Sequence, residues 1–197
     1  MTLDEMVSLI VSRTNRIDKT DVIRSSVRKA IRMVHTAGYF PRDIVEESVD
    51  LGGTYSDFKV ALPPRVRKFT IVAPMSATGN PLQLTTRDNT YDYVSASDLI
   101  DSYFERKSDI YYVAGEAIVV KGTVGASSLY VSYYCYPEVQ DNNLETWLMK
   151  DNDSVFIDAA LSDFYPTIGR MELAREARTQ MMLQLQGIIE DFTSMEE

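Results

Sequence analysis

His35 is the only histidine in the chain and Cys135 the only cysteine, and this narrows the chemistry available. A structural zinc site of the common kind draws three or four Cys or His ligands from short spacings, which this sequence cannot supply. A single thiol cannot close an internal disulfide. A Ser-His-Asp triad would have to recruit His35, which sits between Val34 and Thr36 in a helical pattern, and no Gly-x-Ser-x-Gly elbow occurs. His35 is therefore expected to be a helix histidine near a C-terminal end, and Cys135 a buried thiol in a strand. There is no Gly-x-x-x-x-Gly-Lys loop, and the glycines between Gly115 and Gly125 read as hairpin turns rather than a phosphate cradle. No catalytic residue, cofactor site or metal ligand is assigned.

Carboxylates are plentiful, and a glycoside hydrolase needs only two. No pair stands out, however. Glu46 and Glu47 are neighbours on a strand and point to opposite faces, and Asp151 with Asp153 reads as helix capping. Tyrosine is abundant, with twelve copies. Period-two alternation puts Tyr130, Tyr134 and Tyr136 on one face of a strand and Tyr133 with Cys135 on the other. Tyr111 and Tyr112 lie in a neighbouring strand. Such residues suit either a core or a subunit interface, and both readings stay open.

The elements that must position these groups come in three blocks. Thr2 and Glu5 form a capping box ahead of Leu3, Met6, Val7 and Ile10 at helical spacing. A second helix is capped by Thr20-Asp21, carries Ile23, Val27, Ala30, Ile31 and Val34 on one face, and stops at Gly38. Its other face presents Arg24, Arg28, Lys29 and Arg32, a solvated or partner-facing stripe.

From about residue 40 to 138 the period changes to two. Strand-like runs are Asp43 to Leu51, Phe58 to Leu62, Val66 to Val72, Leu82 to Thr85, Ile110 to Val113, Ala117 to Lys121 and Ser128 to Tyr136, with a short helix from Ser95 to Arg106 among them. The runs around Ala114-Gly115-Glu116 form a hairpin. Helical signals then return. Val155 to Tyr165 is too apolar to face water all round, and Glu172 to Phe192 carries a stripe of Leu173, Ala177, Met181, Leu185, Ile188 and Ile189. That stripe is expected to pack on a partner rather than on its own subunit.

The expected fold class is α+β, a helical bundle formed by the N- and C-terminal helices with a central antiparallel β module. The sub-domains are expected at 1–39 with 140–197 for the helices and at 40–139 for the strands.

The net charge of −9 disfavours a protein that grips nucleic acid, because such grip rests on Lys and Arg neutralising phosphates. It suits a wall along which DNA slides, and, taken alone, suits better still an acidic protein whose charge serves solubility. No apolar run is long enough to span a bilayer, and the opening Met-Thr-Leu-Asp-Glu lacks a basic leader region, so synthesis and retention in the cytosol are expected.

The segment from Thr146 to Gly169 resembles the head-to-tail adaptor proteins of short-tailed bacteriophages, also called tail tubular or gatekeeper proteins. The family pattern is a Trp-Leu pair, a polar spacer, an apolar triplet, an Ala-Leu helix, an aromatic before Pro, and a Gly-led turn into a last amphipathic helix. Those places are taken by Trp147-Leu148, Asp151 to Ser154, Val155-Phe156-Ile157, Ala159-Ala160-Leu161, Tyr165-Pro166 and Ile168-Gly169, with Met171 onward as the helix. The layout is similar over nearly the whole chain, including an N-terminal helical pair that ends in Gly38-Tyr39.

The resemblance implies a virion protein of the neck and tail, assembled in the host cytoplasm as a closed ring of about twelve copies through heterologous contacts. Its partners would be the portal protein and the tail nozzle protein. Genomic DNA would pass without specific binding, and no membrane is involved. The ring would retain the genome and release it on infection, with no catalytic residues and no cofactor. The residues expected at its interfaces are Arg24, Arg28, Arg32, Trp147, Leu148, Phe156, Tyr165, Leu173, Met181, Leu185 and Ile188. The rival readings are a carboxylate-pair hydrolase acting on cell-envelope carbohydrate, which would need a deep cleft holding two carboxylates, and another tail-completion protein.

Overall fold

The computed structural model describes residues 1–75, 90–101, 108–140 and 143–193. The fold is α+β, and its elements divide into two compact units, one of Met1–Asp43 with Tyr136 onward and one of Ile44–Cys135. The run Leu82 to Thr85 and the end of the expected helix after Asp101 lie outside the described residues.

In the helical unit, α1 (Leu3–Thr14) begins with the expected capping box. Glu5 N donates to Thr2 Oγ1 at 3.2 Å and Thr2 N to Glu5 Oε2 at 2.7 Å, so two orphan amides of the first turn are satisfied. Helix α2 (Thr20–Thr36) starts differently from expectation. No side chain caps it, and the Thr20 hydroxyl donates back to the Ile17 carbonyl at 2.7 Å, because a 3-10 turn, Ile17–Lys19, already feeds the helix.

A short helix α4 (Trp147–Asp151) is capped by Thr146, whose hydroxyl accepts from Met149 N. Asn152 separates it from α5 (Asp153–Phe164), which has no side-chain cap, so Asp151 and Asp153 do not cap as expected. Helix α5 is the pillar. Val155, Phe156, Ile157, Ala159, Ala160, Leu161 and Phe164 are all buried, on every side of it, and α2 and α6 (Met171–Thr193) pack against it.

This corrects the expectation that the last helix spends its stripe on a partner. Ala177, Met181 and Leu185 join the core of their own subunit. The physical reason is that α5 is apolar all round. Without α6, a face of it would meet water, and each large side chain uncovered forfeits about 1.5–3 kcal/mol.

In the strand unit, β5 (Ala117–Cys135) is the spine. β1 (Ile44–Ala61) lies antiparallel along one edge of it. β2 (Val66–Met75) and β4 (Ile110–Ala114) share the other edge, one at each end of β5, and β3 (Asp92–Tyr93) adds a two-residue parallel pair to β4. The short helix α3 (Ala96–Asp101) follows β3. The main ladders are thus antiparallel, and the hairpin into β5 closes at Ala114 opposite Ala117, with Gly115 at φ +62°.

Two pairs of expected strands are really single ones. The register moves from Asp50 opposite Ser128 to Tyr55 opposite Ala126 and then to Asp57 opposite Lys121, so each strand carries extra residues at a bulge. Gly52 with Gly53 sits at the first bulge, and Gly122 with Gly125, which read as hairpin turns, at the second.

Bending there is obligatory. β1 ends at Ala61 opposite Ala117, whereas β2 begins at Val66 opposite Cys135. A straight β5 would separate those points by roughly 60 Å, and the short link between β1 and β2 reaches at most about 18 Å. Bringing the two ends of β5 together lets Val60, Ile118 and Val120 share one core with Leu129, Val131, Tyr133 and Cys135.

Gly122 is needed for approach rather than for a turn, since a Cβ there would lie 3.0 Å from the Ser56 carbonyl oxygen and 3.1 Å from the Tyr91 ring. Gly122→Ala should cost about 1–3 kcal/mol, as overpacking does. Urea unfolding followed by far-ultraviolet circular dichroism checks this, and an unchanged midpoint would contradict the close approach.

Tyr91, Tyr111 and Tyr133 are buried, and burial pushes each hydroxyl up to about 12. Asp109 and Asp57 add to the effect at Tyr91, Tyr93 adds at Tyr111, and the hydrogen bond donated to Glu47 adds at Tyr133. A raised folded-state pKa means that the neutral form is stabilised. The contribution is whole below pH 10, the ordinary tyrosine value, and is lost as pH climbs towards about 12. Tyrosinate absorbance at 295 nm should therefore show a late-titrating group of tyrosines, coincident with loss of the strand signal.

Candidate functional site

Arg24, Arg28 and Arg32 are four residues apart and so align along one side of α2, away from the face formed by Ile23, Val27, Ala30, Ile31 and Val34. The charges are tethered by neighbours of their own unit. Arg24 Nη2 lies 2.7 Å from Asp4 Oδ1. Lys29 Nζ reaches Asp163 at 3.2 Å, and the same carboxylate accepts from Ser26 Oγ at 2.7 Å. The Arg32 guanidinium stands 5.6 Å above the Tyr136 ring, a contact that holds the side chain while leaving its charge in place. Arg28 and Lys29 are exposed. Ion pairs this open to solvent contribute about 0–1 kcal/mol, so a partner offering carboxylates can compete for these groups. Arg42 repeats the pattern 5.4 Å above the Trp147 ring. Sequence reading missed it, because Arg42 lies in the 3-10 turn Pro41–Asp43, beyond any helical period.

The apolar residues expected at interfaces separate into two groups. Leu148 and Phe156 are wholly buried, with Met181 and Leu185 close behind, so their own chain already covers them. A partner can reach them only by opening the core. Trp147, Tyr165 and Ile188 are partly buried at the core's margin, and Leu173 is half-buried on α6.

The exposed apolar side chains of α6 are instead Met171, Met182, Leu183 and Ile189. Of these only Ile189 belongs to the stripe read from sequence, since Met182 and Leu183 fall beside it. Met182, Leu183 and Ile189 line a groove of about 870 Å³ along α6 that also touches Ala37, Arg175, Arg178 and Glu190. Among the described residues that line it Glu190 is the one carboxylate, where a glycosidase needs a pair.

His35 is more than a helix histidine. It is fully buried, its Nδ1 is 3.2 Å from Asp43 Oδ2, and its Nε2 is 3.0 Å from Thr146 Oγ1. Asp43 Oδ1 accepts from Trp147 Nε1 at 2.7 Å. The Thr146 oxygen also accepts from Met149 N at 3.2 Å, and the imidazole tautomer sets which partner donates in each of the two His35 contacts.

Hydroxyl, imidazole and carboxylate thus follow one another in the order of a hydrolytic triad. The hydroxyl, however, is buried and committed to capping α4. The arrangement ties the end of α2, the turn before β1 and the start of α4 into one joint. Cysteine chemistry is equally enclosed, as Cys135 is buried in the strand unit. Among the described residues no group of three or more His, Cys, Asp or Glu could hold a metal ion, and no helix is long and apolar enough to cross a membrane.

No known family model and no curated protein matches the chain.

If the joint is structural, Thr146→Val should destabilise the protein by about 2–3 kcal/mol, through loss of a cap and a stranded imidazole nitrogen. Thr146→Ser, which keeps the oxygen, should cost less than about 1 kcal/mol. Thermal unfolding of the two variants beside the parent decides it, and equal losses would mean that the hydroxyl is not what matters.

Proposed function

We propose that the chain is a non-enzymatic subunit of a head-to-tail adaptor ring of a short-tailed bacteriophage, seated between portal and tail nozzle. The observation that carries the reading is the arginine line Arg24, Arg28 and Arg32 on α2. It is a basic, surface-held stripe on a chain of net charge −9, in which Arg24 pairs with Asp4 and Arg32 stands over the Tyr136 ring. Such a stripe suits an acidic protein neighbour better than DNA, because the chain as a whole repels phosphate. An acidic wall in turn suits a passage along which packaged DNA slides in storage and ejection. Two further features support the reading. The layout has helices at both ends around a strand unit, and the Trp147-to-Gly169 pattern recurs at the places where the adaptor family has it.

In this role α2 meets the portal or an adjacent subunit through charge, and the partly buried Trp147, Tyr165, Leu173 and Ile188 form the apolar margin of the contact. The ring holds the genome by closure and needs no turnover. Mixing the purified protein with its portal should add a ring visible in negative stain. Arg28→Glu combined with Arg32→Glu should abolish that ring while leaving the circular dichroism of the subunit unchanged. A portal that gains no ring from the parent protein would overturn the reading.

A further inference from the structure

Helix α6 has two faces of different use. Ala177, Met181 and Leu185 enter the core of the helical unit. The 3.6-residue period puts Arg175, Thr179, Met182, Leu183, Gln186 and Glu190 together on the far side, within about 100° of arc. The same six residues line the groove along α6, which lies wholly within the helical unit. At its middle stand two large apolar side chains, Met182 at 55% and Leu183 at 59% exposure. Scattered singly, such residues would need no explanation, but here they stand side by side in a groove.

Charge along this face changes sign from one end to the other. Arg175 and Arg178 line the groove towards the N-terminal end of α6, and Glu190 lines it towards the C-terminal end. Glu190 Oε1 accepts from Gln186 Nε2 at 2.8 Å, and a carboxylate has acceptor capacity for a second donor. Glu172 and Glu176 are not among the residues that line the groove. Arg175 and Glu190 stand equally far from the midpoint between Met182 and Leu183, about 11 Å to either side. Thr179 and Gln186 are likewise equidistant from it. Reversed end for end, the face is its own complement.

We propose that the free protein pairs with a second copy through this face, the two α6 helices lying antiparallel about a two-fold axis that passes between Met182 and Leu183. The axis sets Arg175 of each copy level with Glu190 of the other and Thr179 level with Gln186. It gathers Met182 and Leu183 of both copies at the centre, away from water. An apolar middle with charged ends is the usual anatomy of a protein interface. Charge rejects the parallel alternative, which would place Arg175 beside Arg175 and Glu190 beside Glu190. Such a pair is isologous, so it closes at two copies and does not propagate into a ring. It describes the free protein and does not rest on the adaptor-ring reading.

Sedimentation velocity over a concentration series tests the pairing on the full-length protein and on the variants Arg175→Glu, Glu190→Arg, both changes in one chain, and Leu183→Glu. All three positions are exposed, and circular dichroism verifies that each variant keeps the parent fold. The parent should form a dimer. Each single charge reversal sets like charges level at both ends of the pair and should weaken association about tenfold. The doubly reversed chain should regain the parent's association, because its end pairs are again of opposite sign. Within one helix the two positions are about 22 Å apart, so that recovery can arise only between copies. Leu183→Glu, which puts charge at the centre, should leave a monomer.

A parent that stays monomeric at every concentration, single variants that associate as the parent does, or a double variant that fails to recover each overturns the pairing. The portal image described above decides the ring separately. Loss of the dimer would leave the adaptor reading standing, and a portal that gains no ring would leave this pair.

Discussion

Leu62 to Arg65 must carry the chain from one end of β5 to the other, and the strand unit is a consequence of that demand. A link so short forces the long strand to double back, and only residues that tolerate bulges and close approach let it do so. Gly52, at φ +68°, and Gly122, pressed against the Ser56 carbonyl and the Tyr91 ring, stand at those places. Once the bend is made, residues from both ends of β5 face inward together, and Tyr111 and Tyr133, which the sequence left open between core and interface, become core. Tyr133 then donates to Glu47 at 3.0 Å, and the Tyr91 hydroxyl is buried with no hydrogen-bond partner in the described structure. That buried hydroxyl is a cost which the surrounding apolar contacts offset.

The helical unit is organised around an apolar helix and a polar joint. Helix α5 has no face suited to water, so α2, α6 and their neighbours must enclose it, and this decides where the terminal helix goes. The joint of His35, Asp43, Thr146 and Trp147 is buried and polar, and such a network tolerates little misplacement because every broken hydrogen bond leaves a desolvated group behind. It connects residues distant in sequence, since Thr146 is 111 positions from His35. The unit is therefore held by shape at its centre and by directional bonds where α2 meets α4.

What remains for partners is surface chemistry of moderate strength. Exposed arginines held over the Tyr136 and Trp147 rings and partly covered apolar residues at the core's margin are the groups that the proposed adaptor role would use. Their worth depends on repetition. A contact that is weak once becomes secure when a closed ring makes every copy hold two neighbours.

Sequence alone determined the things that depend on local period and on composition. These are the class α+β, the α1 capping box, the face of α2 that enters the core, the hairpin at Gly115 and the shortage of ligating side chains. Each follows from spacing along a helix or strand, which neighbours in sequence are enough to set.

Tertiary structure decided the rest. Leu148, Phe156, Met181 and Leu185 look the same in sequence whether a partner or their own chain covers them, and only the packing of α6 on α5 settles which. Glycine at a bulge carries the same letter as glycine at a turn, so β1 and β5 each read as two strands. His35 was legible as a helix residue, but not as the centre of a joint, because its partners Asp43 and Thr146 come from elsewhere in the chain. Long-range partners leave no periodic trace. Where chain length, burial and hydrogen bonding must all be met at once, only the folded arrangement specifies the answer.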